Sequence, residues 1–173
     1  MTAHNTREFL GIYLNDHLAG ASGGVELARR VAHALRGSPG GDQLGQLAND
    51  IAADRAALLS IMRSLGIPAR QYKSVAGWAA EKAARLKLNG RLLSRSPLSD
   101  LVELDGLLLA VQAKAAGWRT LLAIPGHEIA DQLNELISRA DAQVILLEQL
   151  RLAAAGQLFG HSNRTASGSA APQ

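Results

Sequence analysis

Apolar residues recur at alternating three- and four-residue spacing along most of the chain, which is the pattern of helices that bury one face. Ser96 suits a helix N-cap, Pro97 the first helical position and Asp100 the first turn, and Pro125 with Gly126 ends the helix. The apolar stripe between these limits is Leu101, Leu104, Leu108, Val111, Ala115, Trp118 and Leu122. The pattern therefore predicts a long helix at the centre of a helical bundle.

Three further stripes of this kind predict three more long helices, each bounded by turn or capping residues. Thr6 suits the cap of the first helix and Asp42 the cap of the second, because both side chains can accept hydrogen bonds from free backbone N–H groups. The predicted helices cover residues 6–36, 42–65 and 127–159.

A fifth helix is predicted over residues 70–93, although its apolar side is thin. The stretch 70–95 holds seven basic residues and only one acidic residue. A segment this long and this poorly apolar suits a crossover along the outside of a bundle. Residues 1–159 would then form one all-α domain of five helices, and residues 160–173, which are small and polar, a disordered tail.

Small residues form two groups on the predicted helices. Each glycine inside a helix costs about 1 kcal/mol of helix propensity relative to alanine, so we expect the glycines to allow a close approach of a neighbouring helix. A kink of the first helix at its glycines is the alternative. A seam between two copies of the chain is the second interpretation. The residues are Gly20, Gly23 and Gly24 on the first helix and Gly106, Ala110, Ala113 and Gly117 on the central helix.

The composition favours helix-on-helix packing. Hydrophobic residues make up 47% of the chain but aromatic residues only 3%, whereas a β fold would need more aromatic and β-branched residues. The absence of cysteine excludes disulfides, thiolate metal sites and cysteine nucleophiles. The polar N-terminus lacks the apolar run of a signal peptide, and charges interrupt the central helix, so we expect a cytoplasmic protein without membrane spans.

Four long helices, with short turns within each pair and a long link between the pairs, resemble the ferritin-like superfamily. The resemblance covers residues 6–159 and rests on this layout. It implies an up-down four-helix bundle with a long helical crossover. It also implies a di-iron site built from an acid on each of two helices and Glu-x-x-His on each of the other two. No Glu-x-x-His occurs in this sequence, so the metal site would be degenerate or absent.

Asp54 is the polar residue most indicative of a site, because it lies on the apolar stripe of the second helix. Two interpretations remain open. Asp54 can pair with an arginine or a hydroxyl inside the bundle, or it can belong to a carboxylate cluster that holds a divalent metal. The other carboxylates that could reach the same level are Asp50, Glu103, Asp105 and Glu148.

His17 lies on the stripe of the first helix, with Tyr13 one turn before it and Asp16 beside it. A single histidine on a core face is more often a hydrogen-bonded structural residue than a catalytic base or a metal ligand. The sequence has no nucleophile elbow, phosphate loop or dinucleotide fingerprint. We therefore assign no catalytic or cofactor-binding residue.

These patterns lead to one main hypothesis and two alternatives. The main hypothesis is a non-enzymatic structural or interaction module without a cofactor, self-associating as a homodimer or larger homo-oligomer. The first alternative is a metal-binding protein or oxidoreductase that uses a divalent metal at the carboxylates around Asp54. The second is a protein that binds anions or nucleic acid through residues 70–95, although a net charge of +3 makes nucleic acid a weak expectation.

Overall fold

The computed structural model of the protein describes residues 3–70, 96–125 and 129–160. All regular secondary structure in these three ranges is helical, so the predicted all-α class is confirmed. None of these helices is long and apolar enough to cross a membrane. The helices are α1 (Ala3–Ala34), α2 (Gly41–Ser64), α3 (Pro97–Leu122) and α4 (Ala130–Gly160).

The predicted total of five helices is wrong, because the described residues form four. The fifth helix and its crossover were assigned to residues 70–93, nearly all of which lie outside the described ranges. We inferred the crossover because this segment has few apolar residues on any one face. Among the described residues, the four helices and Ile67 supply the side chains of the two buried apolar clusters.

The four helices form two antiparallel hairpins, α1 with α2 and α3 with α4, which pack together chiefly through α1 and α3. Contacts near both ends show that α1 and α3 are antiparallel: Arg30 pairs with Glu103, and the ring of His17 lies against Gly117. Since α2 is also antiparallel to α1, α2 and α3 run parallel. The end of α2 and the start of α3 therefore lie at opposite ends of the bundle.

The apolar core is divided into two clusters along the bundle axis. The first surrounds Trp118 at the end of the bundle where α2 finishes, and the second surrounds Leu107 at the end where α3 begins. Each cluster takes side chains from all four helices. The boundary between them falls at Asp54 of α2, which is 1% exposed.

The helix ends agree only in part with the predicted caps. Ser96 has extended backbone and its Oγ accepts a hydrogen bond from the Ser99 N–H, as predicted for the N-cap of α3. The cap of α2 is instead Gly40, in the left-handed conformation at φ 86°, so Asp42 lies within the first turn. Thr6 is also inside its helix, because α1 begins at Ala3.

The glycines of α3 pack closely against α1, as predicted. A Cβ atom at Gly117 would lie 2.9 Å from the His17 ring, and one at Gly106 would lie 3.6 Å from Leu27. The prediction for α1 is wrong: a Cβ atom at Gly20, Gly23 or Gly24 would meet nothing within 4 Å in the described part of the chain. The sequence spacing of the glycines does not show whether a neighbouring side chain covers them, as at Gly117, or not, as at Gly20.

We expect Gly20→Ala to stabilise the protein, since alanine gains about 1 kcal/mol of helix propensity and its methyl group meets no described neighbour. Gly117→Ala is the matched control: its methyl group must displace the His17 ring, which offsets that gain. Urea denaturation followed by circular dichroism measures both. A destabilising Gly20→Ala substitution would contradict the open space described beside this glycine.

Candidate functional site

Three polar residues occupy core-facing positions at one level of the bundle. Each of them has apolar residues one turn before and one turn after it on the buried stripe of its own helix. Asp54 lies between Ile51 and Leu58 on α2, Lys114 between Val111 and Trp118 on α3, and Gln143 between Ala140 and Leu147 on α4. We call these residues, together with Arg139 of α4, the polar layer.

Asp54 is the centre of the polar layer, and both of its oxygens are bound. Oδ1 accepts from Arg139, at 2.7 Å from Nε and 2.6 Å from Nη2. Oδ2 accepts from the Lys114 ammonium and, at 3.3 Å, from the Gln143 amide. Lys114 also donates to Gln143 Oε1 at 2.5 Å. One carboxylate thus links α2 to α3 and α4, and the prediction that Asp54 pairs with an arginine inside the bundle is confirmed.

The two cations of the polar layer differ in their exposure to solvent. The Lys114 side chain is 14% exposed and that of Arg139 is 42% exposed, while that of Asp54 is fully buried. Burial lowers the pKa of Lys114 from its ordinary value, because the interior solvates an ammonium poorly, and the Asp54 carboxylate opposes that effect. The charge of Lys114 therefore depends on Asp54.

The contacts of Asp54 leave it poorly suited to bind a metal. A divalent cation would have to displace the Lys114 ammonium and the Arg139 guanidinium, which already neutralise the carboxylate and satisfy its lone pairs. The neighbouring Gln143 amide is committed to Asp54 and Lys114 as well. The layer can hold the helices in register, and it offers no free ligand atom on the carboxylate.

The other predicted metal ligands are held apart from Asp54 by their own partners. Asp50 accepts from Gln46 at 2.8 Å, and Glu103 pairs with Arg30 at 3.0 Å. Asp105 and Glu148 both pair with Arg151, at 3.6 Å and 2.7 Å. Within the described ranges, no three carboxylates or histidines are grouped so that they could hold a metal ion. These residues do not fit the di-iron site that the ferritin-like resemblance implies.

His17 has the surroundings of a structural residue. Its ring makes an edge-to-face contact with Tyr13, with 4.5 Å between ring centroids, and its other side lies against Gly117. Burial lowers the pKa of His17, and the nearby Asp16 carboxylate opposes this effect. The ring is therefore held in a partly apolar site that disfavours the imidazolium.

Asn15 is a buried polar residue that sequence reasoning missed. Its amide donates to Gly11 O at 2.8 Å and to Pro68 O at 3.1 Å, and its Oδ1 accepts from the Arg70 N–H at 2.6 Å. It thereby fixes the chain that follows α2 against α1. Arg7 adds two exposed hydrogen bonds to the same turn, at Leu65 O and Gly66 O. The hydrogen bonds of Asn15 explain why this polar side chain is buried, and they give it a structural role.

Lys114, Arg139 and Gln143 were also missed as partners of Asp54, although the sequence carries a signal for one of them. Leu104, Leu107, Val111, Lys114, Trp118 and Leu121 continue the three-four spacing without a break. The predicted stripe correctly included Ala115, but it passed through Leu108 and Leu122 instead of Leu107 and Leu121, which left Lys114 outside the predicted core. A core-facing lysine opposite a core-facing aspartate is the pattern that would have identified the pair.

Nearly all of the basic segment lies outside the described residues. Of the stretch 70–95, only Arg70 lies within the described residues. The hypothesis that this segment binds anions or nucleic acid therefore stays a prediction. The predicted disordered tail likewise falls outside the described residues after Gly160.

No family model, curated protein or solved structure matches this chain. The ferritin-like assignment therefore has no relative to support it. The described residues form an all-helical four-helix bundle whose layout is compatible with that superfamily.

We expect Asp54→Asn to lower the free energy of unfolding by about 3 kcal/mol, because the buried Lys114 loses the counter-charge that stabilises its ammonium form. Asp50→Asn is the matched control, since Asp50 hydrogen-bonds to the exposed Gln46 side chain and its charge stabilises the Lys114 ammonium less than that of Asp54 does. Its effect should stay within about 0.5 kcal/mol. Equal effects of the two substitutions in urea denaturation would contradict a central role for Asp54.

The same charge pair predicts a strong energetic coupling between Asp54 and Lys114. Lys114→Met alone leaves Asp54 with Arg139 and Gln143 only, so it should destabilise the protein. Combined with Asp54→Asn, it should cost about 1–3 kcal/mol less than the sum of the two single effects. A double-mutant cycle measured by urea denaturation gives this coupling, and simple additivity would contradict a direct pair.

We also expect His17 to make the protein less stable in acid. The folded-state pKa lies below the unfolded value of 6.5, so the unfolded chain binds the proton first. Stability is complete above pH 6.5 and falls as the pH drops through 6.5 toward the lowered folded pKa. His17→Gln should reduce the loss of Tm between pH 7.5 and pH 5, whereas substitution of the exposed His33 should not.

Proposed function

We propose that this protein is a non-enzymatic helical bundle that acts as a structural or interaction module. The observation that carries the proposal is the saturation of Asp54 by Lys114, Arg139 and Gln143. The most buried carboxylate among the described residues is neutralised by cations of the chain itself. It has no free oxygen with which to bind a substrate, a proton donor or a metal.

The ferritin-like layout allows the polar layer to be compared with the metal centre of a metal-bearing bundle. In a metal-bearing bundle of that kind, inward carboxylates in the core are neutralised by the bound ions. Here Lys114 and Arg139 provide the positive charge at the same kind of position. We interpret the polar layer as a replacement for the metal centre, which keeps the helices joined without a cofactor.

We further propose that the module works in the cytoplasm as a homodimer or a larger homo-oligomer. The large apolar side chains exposed on its outer faces support self-association, since a monomer gains nothing from exposing them. The absence of cysteine fits a reducing compartment. A divalent metal at Asp50, Asp54, Glu103, Asp105 and Glu148 is the competing function, and it is an outcome of the following test.

We expect the protein, purified without chelators, to carry no stoichiometric iron, manganese or zinc. Its Tm should also be unchanged when EDTA or any of these metals is added, because a ligand that binds only the folded state raises Tm. Elemental analysis and thermal unfolding measure the two quantities. About one or two equivalents of metal per chain, lost in the Asp54→Asn variant, would overturn the proposal.

A further inference from the structure

The outward face of α4 carries an uncharged stripe more than five turns long. Its members recur at alternating four- and three-residue spacing, and every one of them is exposed. Three are large and apolar: Ile145 is 60% exposed, Leu152 56% and Phe159 61%. The stripe, which we call the α4 stripe, is Ser138, Ala142, Ile145, Gln149, Leu152, Gly156 and Phe159.

Helix α3 extends this surface on one side. Leu109, which is 65% exposed, follows Asp105 by one turn, and Asp105 pairs with Arg151 across the groove between α3 and α4. Since Leu152 is next to Arg151, the two leucines lie on neighbouring parts of the surface. Four of the eight large hydrophobic residues exposed in the described ranges thus belong to one side of the bundle. Such a concentration is typical of a contact surface.

We propose that the α4 stripe is the homodimer interface, in which α4 of one chain packs antiparallel against α4 of a second copy. The proposal rests on the self-association proposed above and assigns a surface to it. The two-fold axis lies between Leu150 and Arg151. Across it, Phe159 faces the second copy's Ala142, Ile145 faces Gly156, and Leu152 faces Gln149.

The residue sizes support this particular pairing. In an antiparallel pair of helices with a heptad stripe, each core position of one helix faces a position of the other type. Each large apolar residue of the α4 stripe then faces a smaller or more flexible residue of the second copy. The stripe is therefore complementary in shape to the same stripe on the second copy. A parallel pairing in register would instead place Phe159 against Phe159 and Gly156 against Gly156, which gives alternating crowding and gaps.

The area is sufficient for a specific dimer. From Ala142 to Phe159 the helix is about 27 Å long, and with the adjoining part of α3 the surface is about 20 Å wide. Two such surfaces together bury on the order of 1,100 Å², which exceeds the roughly 1,000 Å² expected of a specific interface. The lack of charge on the stripe matches the depletion of charged residues at interface cores.

Charge also argues against the basic stretch 70–95 as the occupant. That stretch carries seven basic residues and one acidic residue, and the α4 stripe offers no carboxylate to neutralise them. A second copy brings an equally uncharged surface and leaves no charge unpaired. The observations therefore favour self-pairing over coverage of the stripe by this segment.

Sedimentation velocity of the full chain over a range of concentrations tests the interface. Ile145→Glu places one charge from each copy inside the dimer, and we expect it to weaken dimerisation by about 100-fold or more. Ile12→Glu on α1, which is 40% exposed, is the matched control and should leave the dimer intact. Because both isoleucines are exposed in the monomer, circular dichroism should show unchanged helicity for both variants.

Cysteine cross-linking tests the direction of the pairing, since the natural chain contains no cysteine. Gly156→Cys has room for its side chain, and Ile145→Cys is exposed. After mixing under reducing conditions and then oxidation, the two single variants should form a mixed disulfide dimer, while Ile145→Cys alone should not cross-link. Efficient cross-linking of Ile145→Cys with itself would overturn the antiparallel arrangement.

The outcomes separate this inference from the proposed function. A dimer that survives Ile145→Glu would overturn the α4 interface while leaving self-association in place. A monomer at all concentrations would overturn both the interface and self-association. Neither result bears on the metal content, which tests the polar layer separately.

Discussion

The ion pair between Asp54 and Lys114 is the constraint on which the assembled bundle depends. Its two residues belong to different hairpins and lie 60 positions apart in the sequence. A buried carboxylate without a counter-charge is very unfavourable, so the α1–α2 hairpin reaches its final state only when α3 and α4 are in place. The apolar clusters on either side supply most of the buried apolar area, and the polar layer determines which arrangement of the helices is stable.

The same layer specifies the register of the helices. Leucine and alanine dominate the two clusters, and such side chains tolerate a shift of one turn between neighbouring helices with a modest loss. A shift of one turn would, however, move Lys114 and Gln143 about 5 Å away from Asp54. A single polar position inside an apolar seam can thereby select one alignment among several, as polar core residues do in coiled coils.

The sequence predicted the class and the helices better than it predicted the site. The apolar spacing of α1 to α4 is strong enough to place each helix within a few residues, and Ser96 with Pro97 located the start of α3. Asp54 stood out because it interrupts an apolar stripe. Its partners did not, because the choice of Leu107 over Leu108 and of Leu121 over Leu122 as buried residues turns the buried stripe of α3 slightly and brings Lys114 to the core. The contacts that decide this phase come from other helices.

The parallel arrangement of α2 and α3 has a consequence for the order of folding. A short connection joins the two helices of each hairpin, so the two hairpins can form quickly and independently. Docking them brings together residues separated by 60 to 89 positions, as in the contacts of Asp54 with Lys114, Arg139 and Gln143, at the entropic cost of closing a long loop. The polar layer therefore assembles last.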